Sequence, residues 1–558
     1  MFLFFQKKVC LIRQTFAGLF LFLLTGLLVV SCPQPGNNSP PPVGESIVIS
    51  SQADMAKIGI EETHPLSGDY LLANDVTLEN WLPIGDETSP FTGVFDGKGN
   101  IITLNSFDVE AVSDKTYLGI FGYVKGASVS AKAEIKNLTI DSSVDATSTC
   151  TTEQAVGLVA GRAELAEIEN ITLAGTFGFR SEKTVFLGGA VGWINGEGTL
   201  VKNIDSSLDM NIVPGNGVSG ILASGYDQYT FVGGIVGTFR GGAGIENCHN
   251  TGDVTADNVA SSVSGQVFAG GIAGGSAYAG SAVYHGYIKG SSFTIGTVTS
   301  RARGYWTFAG GIAGTITGGN INDLAATTRI ERCFATGTVS TAGTSSGSPY
   351  VGGVVGYIYY GALVSQSYFD GEVIAIKAGD YTGGIAGYNS QSAANISRIE
   401  DCWSGGIITG FNNAGGIVGQ NQANAGLKNS YSIATVSTTS SASTGIGGIA
   451  GLNGNTNGAA SVTGCVALNP SLAAPAGNNI HRVTGNSPGA ISNSHAWSGM
   501  AITTGGMYAK AEGATAADGA DCDEKPNQDF YEGLGWDFSD IWKMGTDDDY
   551  PQLRWQQL

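Results

Sequence analysis

Short runs of alternating apolar and polar residues, broken by glycine, asparagine or serine, fill this chain from Tyr70 onward. Valine, isoleucine, threonine and aromatic residues dominate the runs, which is strand chemistry. No window of helical length sustains a 3.6-residue period. One pattern recurs: Gly-Gly-apolar-(Val/Ala)-Gly begins at Gly188, Gly233, Gly270, Gly310, Gly352, Gly383, Gly415 and Gly447, with looser copies at Gly119 and Gly157. Recurrence at intervals of 31 to 45 residues marks an array of stacked units. A second segment follows each glycine segment, as in Ile245 to Val254, Ile330 to Val339 and Ile399 to Ile408. Two or three short strands plus a variable loop fit one turn of an all-β, right-handed parallel β-helix. A single such turn cannot bury its apolar face, whereas stacked turns can. About ten or eleven turns at roughly 4.8 Å each predict a body roughly 50 Å long.

Two columns test that scheme. Aligned second segments bring Cys248, Ser292, Cys333, Ser367, Cys402, Ser430, Cys465 and Ser494 to one small position. Cysteines on alternate turns would stand roughly 9–10 Å apart. That is beyond the reach of a disulfide, so the column reads as packing, with no Cys-x-x-Cys pair to hold zinc. Cys150 and Cys522 fall at opposite ends of the array and are expected to be unpaired. Two residues before each glycine pair stand Phe186, Phe231, Phe268, Phe308, Tyr350 and Tyr381, lapsing at Asn413. Unbroken register favours a packed ladder over an exposed sugar-binding strip.

The ends differ from the array. Lys7, Lys8 and Arg13 precede a 15-residue apolar run, 16–30, too short to span a bilayer and suited to a secretory signal. Val29-Val30-Ser31-Cys32 resembles a bacterial lipobox, in which the cysteine is acylated and becomes the first mature residue. The predicted organisation is a signal peptide over 1–31, a flexible tether over 32–48 and an N-terminal cap with the first turn over 49–105. The β-helix follows over 106–498, and an aromatic-rich C-terminal cap over 499–558. Ser51 and Asp54 are placed to cap a short opening helix ahead of Met55 and Ile58. Residues 511–526, with Asp518, Asp521, Asp523 and Glu524, read as an acidic loop.

Charge narrows the partners. Net charge is −20, and losing Lys7, Lys8 and Arg13 with the leader takes it to −23. That argues against nucleic acid and for a soluble body that repels anionic surfaces. Glycine, at 85 of 558 residues, is about twice its usual share without a collagen period.

The Gly-Gly-Ile-Val-Gly segments, paired with Ile-Glu-Asn-Cys-x-x-Thr-Gly-x-Val, resemble the GLUG repeat of bacterial surface proteins over roughly residues 69–558. The stretches from Trp81 to Gly99 and from Trp536 to Trp555 are similar to that family's flanks. The resemblance implies a right-handed parallel β-helix on an adhesin-like, surface-anchored protein. Some members also carry a zinc peptidase. This chain has no His-Glu-x-x-His, and His64, His249, His285, His481 and His495 are scattered, so that role is not carried over.

Carboxylates for glycan cleavage are sparse. Asp370 and Glu372 lie two apart, Asp253 shares a column with Glu372 three turns away, and Asp547 to Asp549 lack the pattern of a calcium loop. The long repeat steps fall between Gly188 and Gly352, and extra residues of this kind gather on one binding face. Those stretches hold Tyr226, Tyr229, Tyr278, Tyr284, His285 and Tyr287, with Arg301, Arg303, Tyr305 and Trp306 as a basic-aromatic patch. The expected ligand face is Tyr284, Tyr287, Arg301, Arg303, Tyr305 and Trp306. The expected role is non-catalytic, adhesin-like binding of a host or extracellular protein or glycan, with no cofactor or metal. The expected place is the bacterial cell envelope, at the outer membrane or cell surface, as a monomer held only by its lipid anchor. A polysaccharide lyase or hydrolase and a passive spacer are the alternatives. Mass spectrometry of the mature protein should find Cys32 N-terminal and acylated. An unmodified Cys32, or cleavage elsewhere, would remove the anchor.

Overall fold

In a computed structural model the repeating glycines stand where backbones meet. A Cβ added to Gly233 would lie 2.0 Å from the Val236 carbonyl oxygen, and one on Gly234 would lie 2.2 Å from that of Gly271 in the next coil. One on Gly237 would lie 2.4 Å from the Gly192 oxygen and 2.7 Å from the Phe186 carbonyl carbon. No side chain fits at any of the three, and none of them has a positive φ. The motif thus exists for close approach of chains. It folds the strand before it and the strand after it against each other.

The structure describes residues 46–556 apart from 109–114, 149, 151, 182, 213–228, 258–264, 277–284, 303–305, 321–322, 342–346, 391–395, 423, 443, 455–459, 477–478, 507 and 547–548. One coil shows the plan. Tyr229–Gly233 belongs to a first sheet, Val236–Arg240 to a second, and Ala243–Glu246, His249–Asn250 and Val254–Asp257 to a third. Each strand pairs in parallel with its equivalents one coil below and above, as Phe231 does with Phe186 and Phe268. The first and second sheets each hold 11 strands among the described residues, which makes the body a parallel β-helix of the predicted length. Inward files of isoleucine, valine, leucine and alanine form one continuous core.

The small column is real but differs by one residue in one coil. His249 pairs with Ser292, so the partner of Cys248 is Ser291, not Ser292. Ser292 instead belongs to an outward file that runs from His249 through Ser292 to Phe334, Tyr368, Trp403 and Tyr431. The corrected column carries a bond the sequence did not announce. The backbone N–H of each cysteine donates to the serine hydroxyl one coil on: Cys248 to Ser291 at 3.1 Å, Cys333 to Ser367 at 3.2 Å, Cys402 to Ser430 at 3.1 Å and Cys465 to Ser494 at 3.5 Å. Burial pushes the Cys248, Cys333 and Cys465 thiols up to about 12, so they are inert packing groups. Cys150 and Cys522 are unpaired, as expected.

The residue before that column turns the chain through left-handed backbone. Asn137, Asn170, Asn203, Asn247, Asn429 and Asn493 hold it at φ between 48° and 57°, and Arg332, Gln366 and Asp401 hold it at 47° to 53°. Asparagine tolerates this region best after glycine. The early members also bond to one another, Asn203 to Asn170 and Asn170 to Asn137, each at 3.1 Å. A second amide ladder runs through the interior from Asn389 to Asn421 at 2.9 Å and on to Asn453 at 3.0 Å.

The ends carry two devices rather than one. At the start, Ser51 caps the helix Gln52–Met55 by accepting from the Asp54 N–H, as predicted. Strand Ile47–Ile49 already pairs with Asp69–Leu72, so the last two residues of the stretch read as tether, Ile47 and Val48, are part of the sheet. At the far end Ala501–Thr504 still pairs with Ser471–Ala474, so the coils outrun the predicted boundary at 498. Residues 508–522 then cross the last coil. The N–H groups of Val483 and Thr484 donate to the Ala517 carbonyl, and that of Ser494 to Ala514. The supposed acidic loop is part of this plug: buried Asp518 accepts from the N–H groups of Arg482 and Ala511 and from the Tyr508 hydroxyl.

Residues 527–556 do not close the end. They run back along the flank as a strap over the file Phe334, Tyr368, Trp403 and Tyr431, whose rings stack at 4.9, 4.7 and 5.9 Å. The Trp555 indole donates to the Gln366 carbonyl, Trp536 to that of Gly464, Trp542 to the Asp401 carboxylate, and the Tyr431 hydroxyl to the Pro551 carbonyl.

Two measurements check this account. Gly237→Ala should cost about 1–3 kcal/mol through backbone overlap. Gly533→Ala, where an added Cβ meets nothing within 4 Å, should leave the unfolding midpoint unchanged or raised. Under the strap, burial with the like charge of Glu400 beside it pushes the Asp401 carboxyl up to about 6 from 3.8. A raised carboxyl favours the folded state below its unfolded value and loses that contribution as pH rises through about 6. Asp401→Asn, which keeps an acceptor for Trp542, should therefore stabilise the strap by about 1–2 kcal/mol at pH 7.5. At pH 3, below the unfolded value, the two proteins should melt nearly alike, as followed by tryptophan fluorescence.

Candidate ligand face

The fold of each glycine motif sets an outward file of the first sheet beside an outward file of the second. Along the first sheet, residues that alternate with core-facing Val232, Ala269 and Val351 point outward: Phe186, Phe231, Phe268, Phe308, Tyr350 and Tyr381. Rings Phe231, Phe268, Phe308, Tyr350 and Tyr381 stack at successive centroid distances of 4.3, 4.5, 5.0 and 5.4 Å and within 16° of parallel. The predicted aromatic ladder is therefore present, and its face is the outside of the coil, apart from the main core.

The opposite file changes along the same coils. On the second sheet the facing file reads Trp193, Thr238, Gly275, Thr315, Tyr357 and Tyr388. Across from its small members the phenylalanines are fully buried; around Tyr357 and Tyr388 the tyrosines of both walls are half-buried. At the N-terminal end the second file carries a cation–π stack, with the Arg162 guanidinium 4.4 Å from the Trp193 ring and that of Arg240 3.9 Å from it. Arg162 is held further by the Tyr117 hydroxyl at 2.8 Å and Glu164 at 2.9 Å.

Two of the long repeat steps enter beside this ladder. Strands of the third sheet end at Ile212, Asp257, Arg301 and Thr341, and those of the first begin again at Tyr229, Gln266, Thr307 and Pro349. The longer connections thus fall at two corners: 213–228 and 258–265 at the start of the ladder strands, and 277–285 and 318–328 between the second and third sheets.

The predicted patch is divided by the fold. Tyr284, Arg303 and Tyr305 lie outside the described residues, as do Tyr226, Tyr278 and Cys32. Arg301 and Trp306 are both at the ladder corner. Arg301 ends its strand 3.4 Å from Asp257, and Trp306 is 39% exposed with its ring 89° to that of Tyr350 at 6.3 Å. Tyr287 is not with them. It sits on a strand of the third sheet, flat over Gly244 and beneath the Arg329 guanidinium at 4.8 Å, donating to Glu246 at 2.8 Å. Strand alternation there places it outward in a file, a position its flanking tyrosines and histidine disguised as loop. Tyr229 belongs to the ladder cluster.

Tyr357 and Tyr388 were missed. They stand one residue past the third glycine of the motif, and aligning that position would have shown them.

The acids remain apart. Asp253, Thr297, Thr338 and Glu372 share one file in register, and Asp370 belongs to the neighbouring stretch opposite Gly405. Asp547 lies outside the described residues; Asp549 is 3.0 Å from Lys525. Among the described residues no group of three or more histidine, cysteine or acidic side chains is arranged to hold a metal. No described helix is long and apolar enough to cross a membrane.

No family model and no curated protein matches the chain. A solved Bacteroides ovatus protein, provisionally described as an immunoglobulin A1 protease, aligns with 92% of this chain and 93% of its own at 15% identity. The TM-score of 0.25 is too low for that likeness to carry an argument about fold or activity.

Proposed function

We propose that this protein is a non-catalytic surface lipoprotein, anchored in the bacterial envelope through Cys32, that presents a ligand face on a rigid β-helix. One observation carries the reading: an outward aromatic file climbs unbroken through Phe231, Phe268, Phe308, Tyr350 and Tyr381, and the connections 213–228, 258–265, 302–306 and 342–348 all rejoin the body at the start of its strands. A solenoid needs neither feature to stand, since its stability comes from coil-to-coil contacts. Tyrosine, tryptophan and arginine are the side chains that most often anchor recognition, and Trp306 and Arg301 lie at that corner. The likeness of the repeats to GLUG segments of adhesin-like proteins points the same way.

A carbohydrate-active enzyme is the second reading, and one observation favours it. Desolvation raises the Asp370 carboxyl above its ordinary range, with Glu372 two residues on. Glycan cleavage needs an acid shifted in this direction together with a second carboxylate.

The purified mature chain should bind a member of a panel of extracellular-matrix proteins and glycans, and Arg301→Ala with Trp306→Ala should weaken that binding about tenfold or more. Binding to nothing in the panel would favour a spacer. Release of oligosaccharides from a polysaccharide, abolished by Asp370→Asn, would establish the enzyme instead.

A further inference from the structure

The N-terminal end of the body is built differently from the rest. Tyr117–Leu118 is the terminal strand of the first sheet, and among the described residues it pairs on one side only, with Gln154–Gly157. A cavity of about 550 Å³ adjoins it, lined by Lys115, Thr116 and Tyr117, by residues 80–89 and by cap residues between Gln52 and Leu66. No residue of the paired strand lines it. Its size is that of a site for a small ligand or for a few side chains.

Two apolar side chains are left in solvent there. Ile58, Trp81, Ile84 and Tyr117 are buried and form the floor. The Trp81 indole donates to the Ile120 carbonyl at 3.0 Å and needs no further partner. Ile60 and Leu82 line the same cavity, yet they are 83% and 51% exposed. Single exposed apolar residues are ordinary, whereas two that share one hollow with a polar rim mark a contact site. The hollow is also held in shape. The Gln52 side chain ties the cap helix to the rim, donating to the Glu79 carbonyl and accepting the Glu79 N–H, each at 3.0 Å.

The rim carries an excess of one charge. Asp86 and Glu87 line the cavity and are exposed. Exposed Glu61 and Glu62 follow Ile60, and exposed Glu79 precedes the lining residue Asn80. Asp86 accepts from the Thr88 hydroxyl at 2.7 Å and from the N–H groups of Thr88 and Ser89 at 2.9 Å, which holds its carboxyl below the usual range and so ionised. Of the nearby bases, Lys57 is 2.9 Å from Asp54, the His64 ring is 3.8 Å from Glu61, and Lys115 lies on the lining, where its charge helps to lower Asp86. Residues 109–114, outside the described residues, add Glu110 and Asp114 to the sequence and no base.

We propose that this cavity docks a basic amphipathic segment of a partner protein, at a site separate from the aromatic ladder. An apolar side chain of the segment seats against Ile60, Leu82 and the floor, and its flanking cations face Glu62 and Glu87. An extended segment that alternates apolar and basic residues also suits the open edge of Tyr117–Leu118, where a partner strand can add its backbone hydrogen bonds. A bilayer fits less well, because seating Ile60 in it would desolvate Glu61 and Glu62 beside it.

The test is calorimetric titration of the mature chain with three short peptides: alternating leucine and lysine, alternating serine and lysine, and alternating leucine and glutamate. Flotation with phosphatidylcholine vesicles runs beside it. The leucine–lysine peptide should bind at least about tenfold more tightly than either of the others. Ile60→Ser with Leu82→Ser, both at exposed positions, should weaken it about tenfold or more while circular dichroism and the unfolding midpoint match the parent. Glu62→Gln with Glu87→Gln should weaken it about 2- to 5-fold, a difference that raised salt removes. Equal binding of the two lysine peptides reduces the interaction to bulk charge and overturns the proposal. Equal or tighter binding of the leucine–glutamate peptide overturns the basic partner. Leucine–lysine binding that the Ile60 and Leu82 substitutions leave unchanged overturns the location. Flotation with the vesicles without peptide binding makes the hollow a membrane contact and overturns the protein partner, as does binding of none of the probes.

Discussion

Each coil of this protein satisfies its backbone hydrogen bonds only through the coils on either side of it. Every other feature answers to that constraint. Parallel pairing at a fixed spacing demands that equivalent residues stand over one another, so any side chain accepted at one level must be compatible with its neighbours above and below. That is why the files are so uniform: glycine where two strands of a coil touch, aliphatics inward, asparagine where the chain turns through left-handed backbone. It is also why the cysteine column alternates with serine. The serine hydroxyl reaches the N–H of the coil below, a bond the larger and weaker thiol makes poorly.

The same constraint creates two problems at the boundaries, and the chain solves them separately. An open last coil would expose a row of unpaired backbone groups. Residues 508–522 cover it with backbone bonds and the buried Asp518 carboxylate. Outward aromatic files are the second problem, because stacked rings on a strand surface are a large apolar strip. The file from Phe334 to Tyr431 is covered by the strap, whose tryptophans end their indole N–H groups on the coil's own carbonyls and on Asp401. The file from Phe186 to Tyr381 is enclosed by its own coil in the middle and ends in half-buried tyrosines. No described part of the strap packs against it.

Periodicity made much of this legible before any coordinates. The glycine motif spaced at 31–45 residues called for stacked coils, and Phe231, Phe268, Phe308, Tyr350 and Tyr381 do climb in register. Where a segment lost its spacing, the reading slipped. Ser291 and Ser292 are adjacent and chemically identical, so only the pairing of His249 with Ser292 tells which of them points inward. Tyr287 looked like loop because tyrosines and a histidine precede it, yet it packs on a strand between Gly244 and Arg329. Asp518 looked like a solvated charge and is a buried acceptor.

What the chain's own pattern determined was the file: which residues share a level, how many levels there are, and that the glycines and small residues mark close contacts. Local repetition is enough for that, because identical neighbours impose identical requirements on every coil. What only the tertiary structure decided was which way the files face and what lies against them. The facing of two outward files across each glycine fold, the perpendicular setting of Trp306 and Tyr388 around Tyr350, and the return of the C-terminal segment along the flank all join residues by packing across space. Such contacts have no period, and so they leave no trace in the order of residues along the chain.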